Sequence, residues 1–171
     1  MSQATKEKYL DSASFRATFR RHPAGVAVVT LFGESGPVGF TATSVISVSA
    51  DPPIIAFSMI GTSSSLPALS EADTVVIHLL NSSDSALSKR FATPGIDRFE
   101  GVDWAPLSSG EPVISSVDTW LRCSVLRRDT AGSSIIVQVQ PIEGKVNGDR
   151  SPLLYHDRRY HRLSDESAIR E

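Results

Sequence analysis

The sequence predicts a mainly β protein, an antiparallel barrel with a few peripheral helices. Residues 39–49 alternate in period two, and small hydroxyl side chains occupy one of the two faces. Two longer alternating runs, 119–128 and 133–140, are separated by Ala131-Gly132, which predicts a hairpin. Many short strands with few helices are typical of such a barrel.

Composition bounds the class of protein. The 171 residues are 40% hydrophobic and 21% charged, which predicts one globular domain over residues 1–171. The net charge of −2 gives no broad basic field, so we expect no nucleic-acid partner. The single cysteine, Cys123, excludes an internal disulfide and is expected to be a small buried hydrophobe. Without a signal peptide or a long apolar run, we expect a cytoplasmic protein with no membrane span.

The first quarter of the chain predicts a helix followed by two strands. Ser12 or Ser14 is expected to cap a short helix that ends before Pro23. Phe15 and Phe19 share one side of this helix, and the opposite, solvated side carries arginines. A buried strand over 26–32 turns back at 33–37 into the alternating segment. The apolar face of that segment, expected in the core, consists of Phe40, Ala42, Ile46 and Val48.

A serine-rich loop follows the next predicted strand, 54–59. Residues 61–65 precede a short helix over 66–72, and a strand over 74–80 comes next. Hydroxyls and free backbone N–H groups at a helix start suit a phosphate, although plain helix capping explains them equally well.

A second cationic element lies at the end of a later helix, which Ser82 or Ser83 is expected to cap. Lys89 and Arg90 lie near its C-terminus, where cations are favourable even without a ligand. Residues 93–112 form the longest irregular stretch, a candidate lid or partner-facing loop. The tail, 152–163, is basic and aromatic.

The sequence offers little reactive chemistry of its own. It contains no nucleophile elbow, no P-loop and no dinucleotide-binding glycine fingerprint. The four histidines lack metal-ligand spacing, so no metal site is expected. Such a chain fits a function in which a bound cofactor supplies the reactivity.

Six motifs, in order along the chain, carry a family resemblance. They are Pro23-Ala24-Gly25-Val26-Ala27-Val28-Val29-Thr30, Gly39-Phe40-Thr41-Ala42-Thr43-Ser44, Ser47-Val48-Ser49-Ala50-Asp51-Pro52-Pro53, Lys89-Arg90-Phe91-Ala92, Asp97-Arg98-Phe99 and Pro152-Leu153-Leu154-Tyr155. Over about residues 12–163 the chain resembles the flavin reductases with an FMN-binding split barrel. Those short reductases supply reduced flavin to two-component monooxygenases.

The resemblance implies a Greek-key split barrel, a homodimer and a defined flavin site. The residues implied at the flavin ring edge and ribityl chain are Thr41, Ala42, Thr43, Ser44 and Ser47. Those implied to hold the phosphate and close the pocket are Ser63, Ser64, Ser65, Lys89, Arg90 and Phe91. FMN or FAD would be the flavin, and NADH or NADPH would fold over it as reductant. No residue is assigned a catalytic role.

The sequence departs from the family pattern at three places. Gly132-Ser133-Ser134 replaces a Gly-Asp-His that lies on the nicotinamide side, and His78 and Asp84 stand where the family has Asn and Gln. The main hypothesis is an NAD(P)H-dependent flavin reductase that serves a monooxygenase. The alternatives are a flavin-binding barrel, oxidase-like or a flavin carrier, that uses no nicotinamide, and a barrel without ligand.

Overall fold

The computed structural model describes residues 9–147 and 150–169, and it confirms the mainly β fold. The helices are α1 (Ser12–Arg20), α2 (Leu66–Glu71) and α3 (Ser85–Ala92). The first six strands are β1 (Ala24–Gly25), β2 (Ala27–Gly33), β3 (Gly36–Ala42), β4 (Ile46–Ala50), β5 (Pro53–Ile60) and β6 (Thr74–Leu79). The others are β7 (Trp104–Pro106), β8 (Pro112–Ile114), β9 (Trp120–Ala131), β10 (Ser134–Lys145), β11 (Leu153–His156) and β12 (Arg159–Arg162).

The main sheet is a split barrel of seven antiparallel strands. Its order is β3-β2-β6-β9-β10-β5-β4, so the two edge strands are consecutive in sequence. Side chains close the barrel where backbone pairing does not: Phe40 of β3 and Phe57 of β5 approach with ring centroids 6.1 Å apart. A three-stranded sheet, β1-β11-β12, and the β7-β8 hairpin pack outside.

Two hydrophobic clusters stabilise this arrangement. The first fills the barrel and includes the fully buried Cys123, which confirms its predicted role as a small hydrophobe. The second joins the barrel wall to α3 and β11 and includes the buried Phe91 and Leu153. Because Phe91 lies in this second cluster, α3 is fixed against the outer side of β2 and β3.

Helix capping differs from the sequence prediction at both helices. The Oδ1 atom of Asp11, rather than Ser12 or Ser14, accepts from the backbone N–H groups of Ala13 and Ser14. A carboxylate can accept from two backbone N–H groups that have no partner within the helix, and its negative charge interacts favourably with the positive end of the helix dipole. A neutral serine hydroxyl lacks this second contribution. Before α3, Asn81 and Asp84 form a capping box around a 3-10 turn, so Ser82 and Ser83 do not cap the helix.

The alternating segment 39–49 is broken into two strands, and its predicted apolar face is only half buried. Phe40 and Ala42 lie in the core, but the chain turns at residues 43–45 and begins β4. Ile46 is 59% exposed and Val48 is 55% exposed, so their predicted place in the core is wrong. The physical reason is that β4 pairs only with β5 at the sheet edge, where this side is uncovered.

The stretch 93–112 is partly regular and is anchored to the barrel. β7 and β8 pair there, and Thr30 Oγ1 donates to the carbonyl of Pro112. Buried Glu111 forms an ion pair of 2.9 Å with Arg122 on β9. These contacts argue against a lid in the second half of this stretch.

Candidate functional site

The split in the barrel presents unpaired backbone together with small side chains. Because β3 and β4 are sheet edges, alternate N–H and C=O groups of each point away from their single partner strand. Residues 43–45 connect the two edges. Ser44 continues the register of β4, and its hydroxyl takes the place of a backbone ladder: it accepts from Ser58 N at 2.9 Å and donates to Ser58 O at 3.1 Å.

A cavity of about 830 Å³ opens at this split. Thr43, Ser44 and Ser58 form its barrel wall. α1 and β1 supply the opposite wall, including Arg16, Arg20 and Phe19. The third wall is the β11-β12 hairpin, residues 153–162, called the tail hairpin below. This volume lies within the range that small-molecule and cofactor sites occupy.

A second cavity, of about 720 Å³, lies on the other side of the tail hairpin. Lys89 and the end of α3 form one wall, and Arg159 and Tyr160 form the other. Tyr155 and Arg158 line both cavities, so the tail hairpin is the ridge between them.

Contacts between α3 and the tail hairpin hold Lys89 at this second cavity. The hydroxyls of Ser88 and Tyr160 are hydrogen-bonded at 2.8 Å, and Lys89 Nζ lies 5.8 Å from the Tyr160 ring centroid. Thr41 Oγ1 donates to the Ser88 carbonyl at 2.7 Å. The predicted site residue Thr41 therefore ties β3 to the helix that carries Lys89.

Arg90 and Phe91 are placed differently from their neighbour Lys89. Arg90 donates to the carbonyls of Asp97 and Arg98, each at 2.9 Å, and lies 3.5 Å from Glu100. Phe91 is completely buried. Of these three predicted phosphate residues, Lys89 lines the cavity, whereas Arg90 and Phe91 contact the protein interior and the following loop.

The serine loop forms a separate polar site. Ser65 is buried, and its Oγ accepts from Arg98 at 3.0 Å, while the same Arg98 nitrogen donates to Gly39 O at 2.7 Å. Ser64 and Ser65 line a cavity of about 250 Å³ beside Arg98. Ser63 Oγ accepts from Ser65 N at 3.3 Å. The structure thus does not bring Ser63, Ser64 and Ser65 into one cavity with Lys89.

The Gly132-Ser133-Ser134 hairpin abuts the start of the serine loop. Gly132 has φ +61°, and Ser133 O accepts from Gly61 N at 2.8 Å. As far as the described residues go, neither Ser133 nor Ser134 lines the two cavities beside the tail hairpin. Ser47, on β4, is also outside their walls.

The other two departures from the family pattern have structural roles. His78 is fully buried, with Nδ1 3.2 Å from Val28 O and Nε2 accepting from Ile114 N at 3.0 Å. Burial lowers the pKa of His78 to about 4, so the ring is neutral and donates from Nδ1. Asp84 is buried and accepts from Asn81 N at 2.8 Å.

The cavities suit an anionic aromatic ligand. Cations line them on both sides of the ridge, hydroxyls and sheet-edge backbone lie at the split, and tyrosine rings form flat walls. Within residues 9–147 and 150–169, no cluster of His, Cys, Asp or Glu is suited to a metal. In the same part of the chain, each helix is too short or too polar to cross a bilayer.

A split barrel with these cavities defines a class of flavin-binding proteins, as predicted. The chain belongs to the flavin reductase like domain family, whose model matches residues 19–164. An NADH:FMN oxidoreductase from Rhodococcus qingshengii is 42% identical over 156 residues, which cover 88% of this chain and 81% of that relative.

Two solved structures extend the comparison. A flavin reductase domain protein from Arthrobacter sp. FB24 has a TM-score of 0.86 and 38% identity, covering 90% of this chain and 96% of that chain. An NADH:FAD oxidoreductase from Streptomyces globisporus C-1027, in complex with NAD and FAD fragments, has a TM-score of 0.84 and 28% identity, covering 92% and 96%.

The site contains residues that the sequence analysis did not select. Tyr155 and Arg158 line both cavities, and Arg16 and Arg20 line the larger one. The basic, aromatic tail was a signal for the first two. The α1 arginines were predicted to be a solvated face, and only the docking of the tail hairpin on α1 places them at a cavity.

Proposed function

We propose that the chain is an NAD(P)H-dependent flavin reductase that supplies reduced FMN or FAD to a partner monooxygenase. The observation that carries this proposal is the cavity at the split, where hydroxyls and edge backbone meet a cationic ridge. When bound, the flavin supplies the redox chemistry, taking a hydride from the nicotinamide and delivering the electrons onward.

The residues of this chain are proposed to bind and orient the flavin. Thr43 and Ser44, which line the cavity, are proposed to face the ring edge and ribityl chain, with Ser44 held in place by Ser58. Thr41, Ala42 and Ser47 are proposed to border the same site on the adjoining edge strands β3 and β4. Among the predicted phosphate residues, the cavity wall favours Lys89, whereas Ser63, Ser64 and Ser65 with Arg98 form a second polar site that suits an anion. Arg90 and Phe91 support this arrangement through the α3 packing.

Steady-state oxidation of NADH and NADPH with added FMN, FAD and riboflavin tests the proposal. We expect flavin-dependent oxidation, and Arg127→Ala serves as a matched control because that arginine is exposed and pairs only locally with Asp129. Flavin binding with no oxidation of either nicotinamide would overturn the reductase proposal.

That outcome would favour the alternative of a flavin-binding barrel that uses no nicotinamide. Gly132-Ser133-Ser134, where the family has an imidazole, is the observation that supports it. Riboflavin and FMN would then bind, and their fluorescence would be quenched, but neither NADH nor NADPH would be oxidised. A barrel with no ligand would leave flavin fluorescence unchanged.

We further propose a homodimer with the larger cavity beside the interface. Residues that lie opposite one another on neighbouring strands point to the same face of the sheet. The register of β4, β5 and β10 therefore places Ile46, Ile60 and Ile136 together on the outer face of the barrel. All three are exposed, at 59%, 56% and 38%. Because Ile46 also lines the cavity at the split, a second copy covering this face would border that cavity.

Sedimentation of the wild type and of Ile136→Glu tests the dimer. A charge in a buried apolar interface is costly, so the variant should sediment as a monomer while the wild type does not. Ile142→Glu is the control, since Ile142 is exposed on β10 near a register shift. A monomeric wild type with full flavin affinity would contradict the proposal.

The proposed cellular setting follows from the chemistry of the substrates. Reduced nicotinamides are cytoplasmic metabolites, so we propose a cytoplasmic enzyme. Free reduced flavin is rapidly oxidised by dioxygen, which favours a monooxygenase partner as its acceptor. A reductase whose product is consumed only by dioxygen in cell extracts, with no monooxygenation, would contradict the partner proposal.

A further inference from the structure

The tip of the tail hairpin carries an arginine in an unfavourable backbone conformation. β11 and β12 pair in register up to His156 and Arg159, which leaves a loop of only two residues, Asp157 and Arg158. Both have positive φ, +45° and +65°. Two-residue hairpin loops of this kind prefer Asn or Asp followed by Gly, because L side chains rarely adopt this region.

The aspartate of this pair has a structural explanation. Asp tolerates the left-handed region, and Asp157 N donates to the Arg20 carbonyl at 3.0 Å. Its carboxylate also lies 3.8 Å from Arg20 Nε. These contacts fasten the tail hairpin to the end of α1 and fix the position of its tip.

The arginine has no such explanation within the described chain. Arg158 is exposed, and among residues 9–147 and 150–169 its guanidinium has neither an ion-pair partner nor a hydrogen-bond acceptor. A glycine would adopt the same φ at a lower free energy. Residues held in unfavourable backbone regions are concentrated at active sites and ligand clamps, where the surrounding structure holds them in place.

The location of Arg158 suits the binding of an anion. Arg158 lines both cavities at the ridge, between Lys89 and Arg159 on one side and Arg16 and Arg20 on the other. Asp157 is the acidic side chain lining these walls, and it is paired with Arg20. The positive charge of the ridge therefore favours an anion, and a guanidinium can bind phosphate in a bidentate manner.

We propose that Arg158 is a specificity-determining residue that binds a phosphoryl group of the bound nucleotide. This inference rests on the proposed function, since a flavin and a nicotinamide dinucleotide are the two sources of such a group. The phosphate ester of FMN and the diphosphate of NADH present the same chemistry to the ridge.

Arg158→Gly separates the structural effect from the binding effect. Relief of the strain should raise Tm by roughly 2–4 °C in a domain of this size. The same variant should lose a charge-assisted contact, about tenfold or more in affinity. A residue with a merely structural role would not produce opposite changes in stability and binding.

Fluorescence titrations with FMN and riboflavin, and the KM for NADH with riboflavin as acceptor, distinguish the two sources. If the FMN phosphate is bound, Arg158→Gly weakens FMN tenfold and leaves riboflavin unchanged. If the NADH diphosphate is bound, FMN affinity is unchanged and that KM rises about tenfold. Arg158→Lys should retain part of the affinity, and Arg158→Asn should behave as the glycine variant does.

The titrations do not depend on turnover, so they remain informative even if the enzyme oxidises no nicotinamide. In that case the rise in Tm that inorganic pyrophosphate produces in the absence of FMN replaces the NADH measurement. The proposal is overturned if Arg158→Gly raises Tm while FMN affinity, stabilisation by pyrophosphate and the KM for NADH all match the wild type. Arg127→Ala should leave all of these quantities unchanged.

Discussion

Lys89 and Arg90 are neighbours in sequence, yet their surroundings predict different consequences of mutation. Lys89 lines the cavity beside the tail hairpin, so Lys89→Ala should weaken FMN about tenfold and leave riboflavin unchanged. Fluorescence titration with both flavins measures this. Equal losses for FMN and riboflavin would mean that Lys89 acts through folding.

Arg90→Ala should act on stability instead. Its guanidinium donates to two carbonyls in the loop after α3, and each bond contributes about 1 kcal/mol. We expect a lower Tm and small, equal changes in FMN and riboflavin affinity. A selective loss of FMN, with Tm unchanged, would place Arg90 at the phosphate after all.

His78 should make stability depend on pH between about 4 and 6.5. Its pKa is about 4 in the folded protein, against 6.5 for an imidazole in water, so the unfolded chain binds the extra proton in this window. The free energy of unfolding should therefore fall as pH decreases from 6.5, by roughly 3 kcal/mol at pH 4.

Urea unfolding at a series of pH values measures this dependence, with His78→Asn as the comparison. Asparagine can also donate and accept but does not titrate, so its curve should be flatter between pH 4 and 6.5. Identical slopes for the two proteins would show that His78 does not control this window.

At the residue scale, the sequence could predict which side chains have suitable chemistry for the site but not which of them are exposed to it. Residue type and motif predict the hydroxyls of Thr41, Thr43 and Ser44 and the cation Lys89 as site residues. Phe91 was placed at the pocket by its motif, whereas its burial depends on how α3 packs against the barrel. The conformation of Arg158 is set by hairpin register, which no local pattern reveals.

Among the elements, α3 and β3 approach so closely that glycine is required between them. A Cβ at Gly39 would lie 2.4 Å from Cε1 of the Phe91 ring, which is itself buried. Gly39→Ala should therefore destabilise the protein by about 1–3 kcal/mol. Thermal unfolding measures it, with Gly25→Ala as the control because nothing lies within 4 Å of a Cβ there.

The β9-β10 hairpin allows a test of the nicotinamide side. Ser134→His with Ser133→Asp restores the family's residue types, and we expect faster NAD(P)H oxidation with unchanged FMN affinity. Donor and acceptor placement can change hydride transfer about a hundredfold. A fast wild type that is unaffected by both substitutions would exclude the hairpin, and His156 or Tyr160 would be the next positions to test.

At the scale of elements, alternation and apolar runs predicted the long strands, while the ends and edges of strands needed tertiary context. The β9-β10 hairpin was predicted from alternation and Ala131-Gly132. The break at 43–45 was missed because the alternation continues across it, even though the barrel opens there. For the same reason Ile46 and Val48 were assigned to the core.

For the whole molecule, the family motifs predicted the barrel topology correctly, since their order along the chain is a property of the fold. The family motifs did not predict the shape of the ligand cavity. Its walls come from α1 and the split and from the tail hairpin, which follows the split about a hundred residues later in the sequence, and they depend on contacts such as the Arg20–Asp157 pair.

The open split also affects how readily the protein aggregates at high concentration. Residues 40–50 contain no charged side chain, and β4 carries two exposed apolar residues on an unpaired edge. Such an edge is a template on which other molecules can add strands and aggregate. A flavin bound at the split, or a second copy bound on β4, would cover this edge. The light scattering of a concentrated protein solution should therefore increase more slowly when riboflavin is present. Ser49→Lys, which introduces a charge on the edge, should slow aggregation without any ligand.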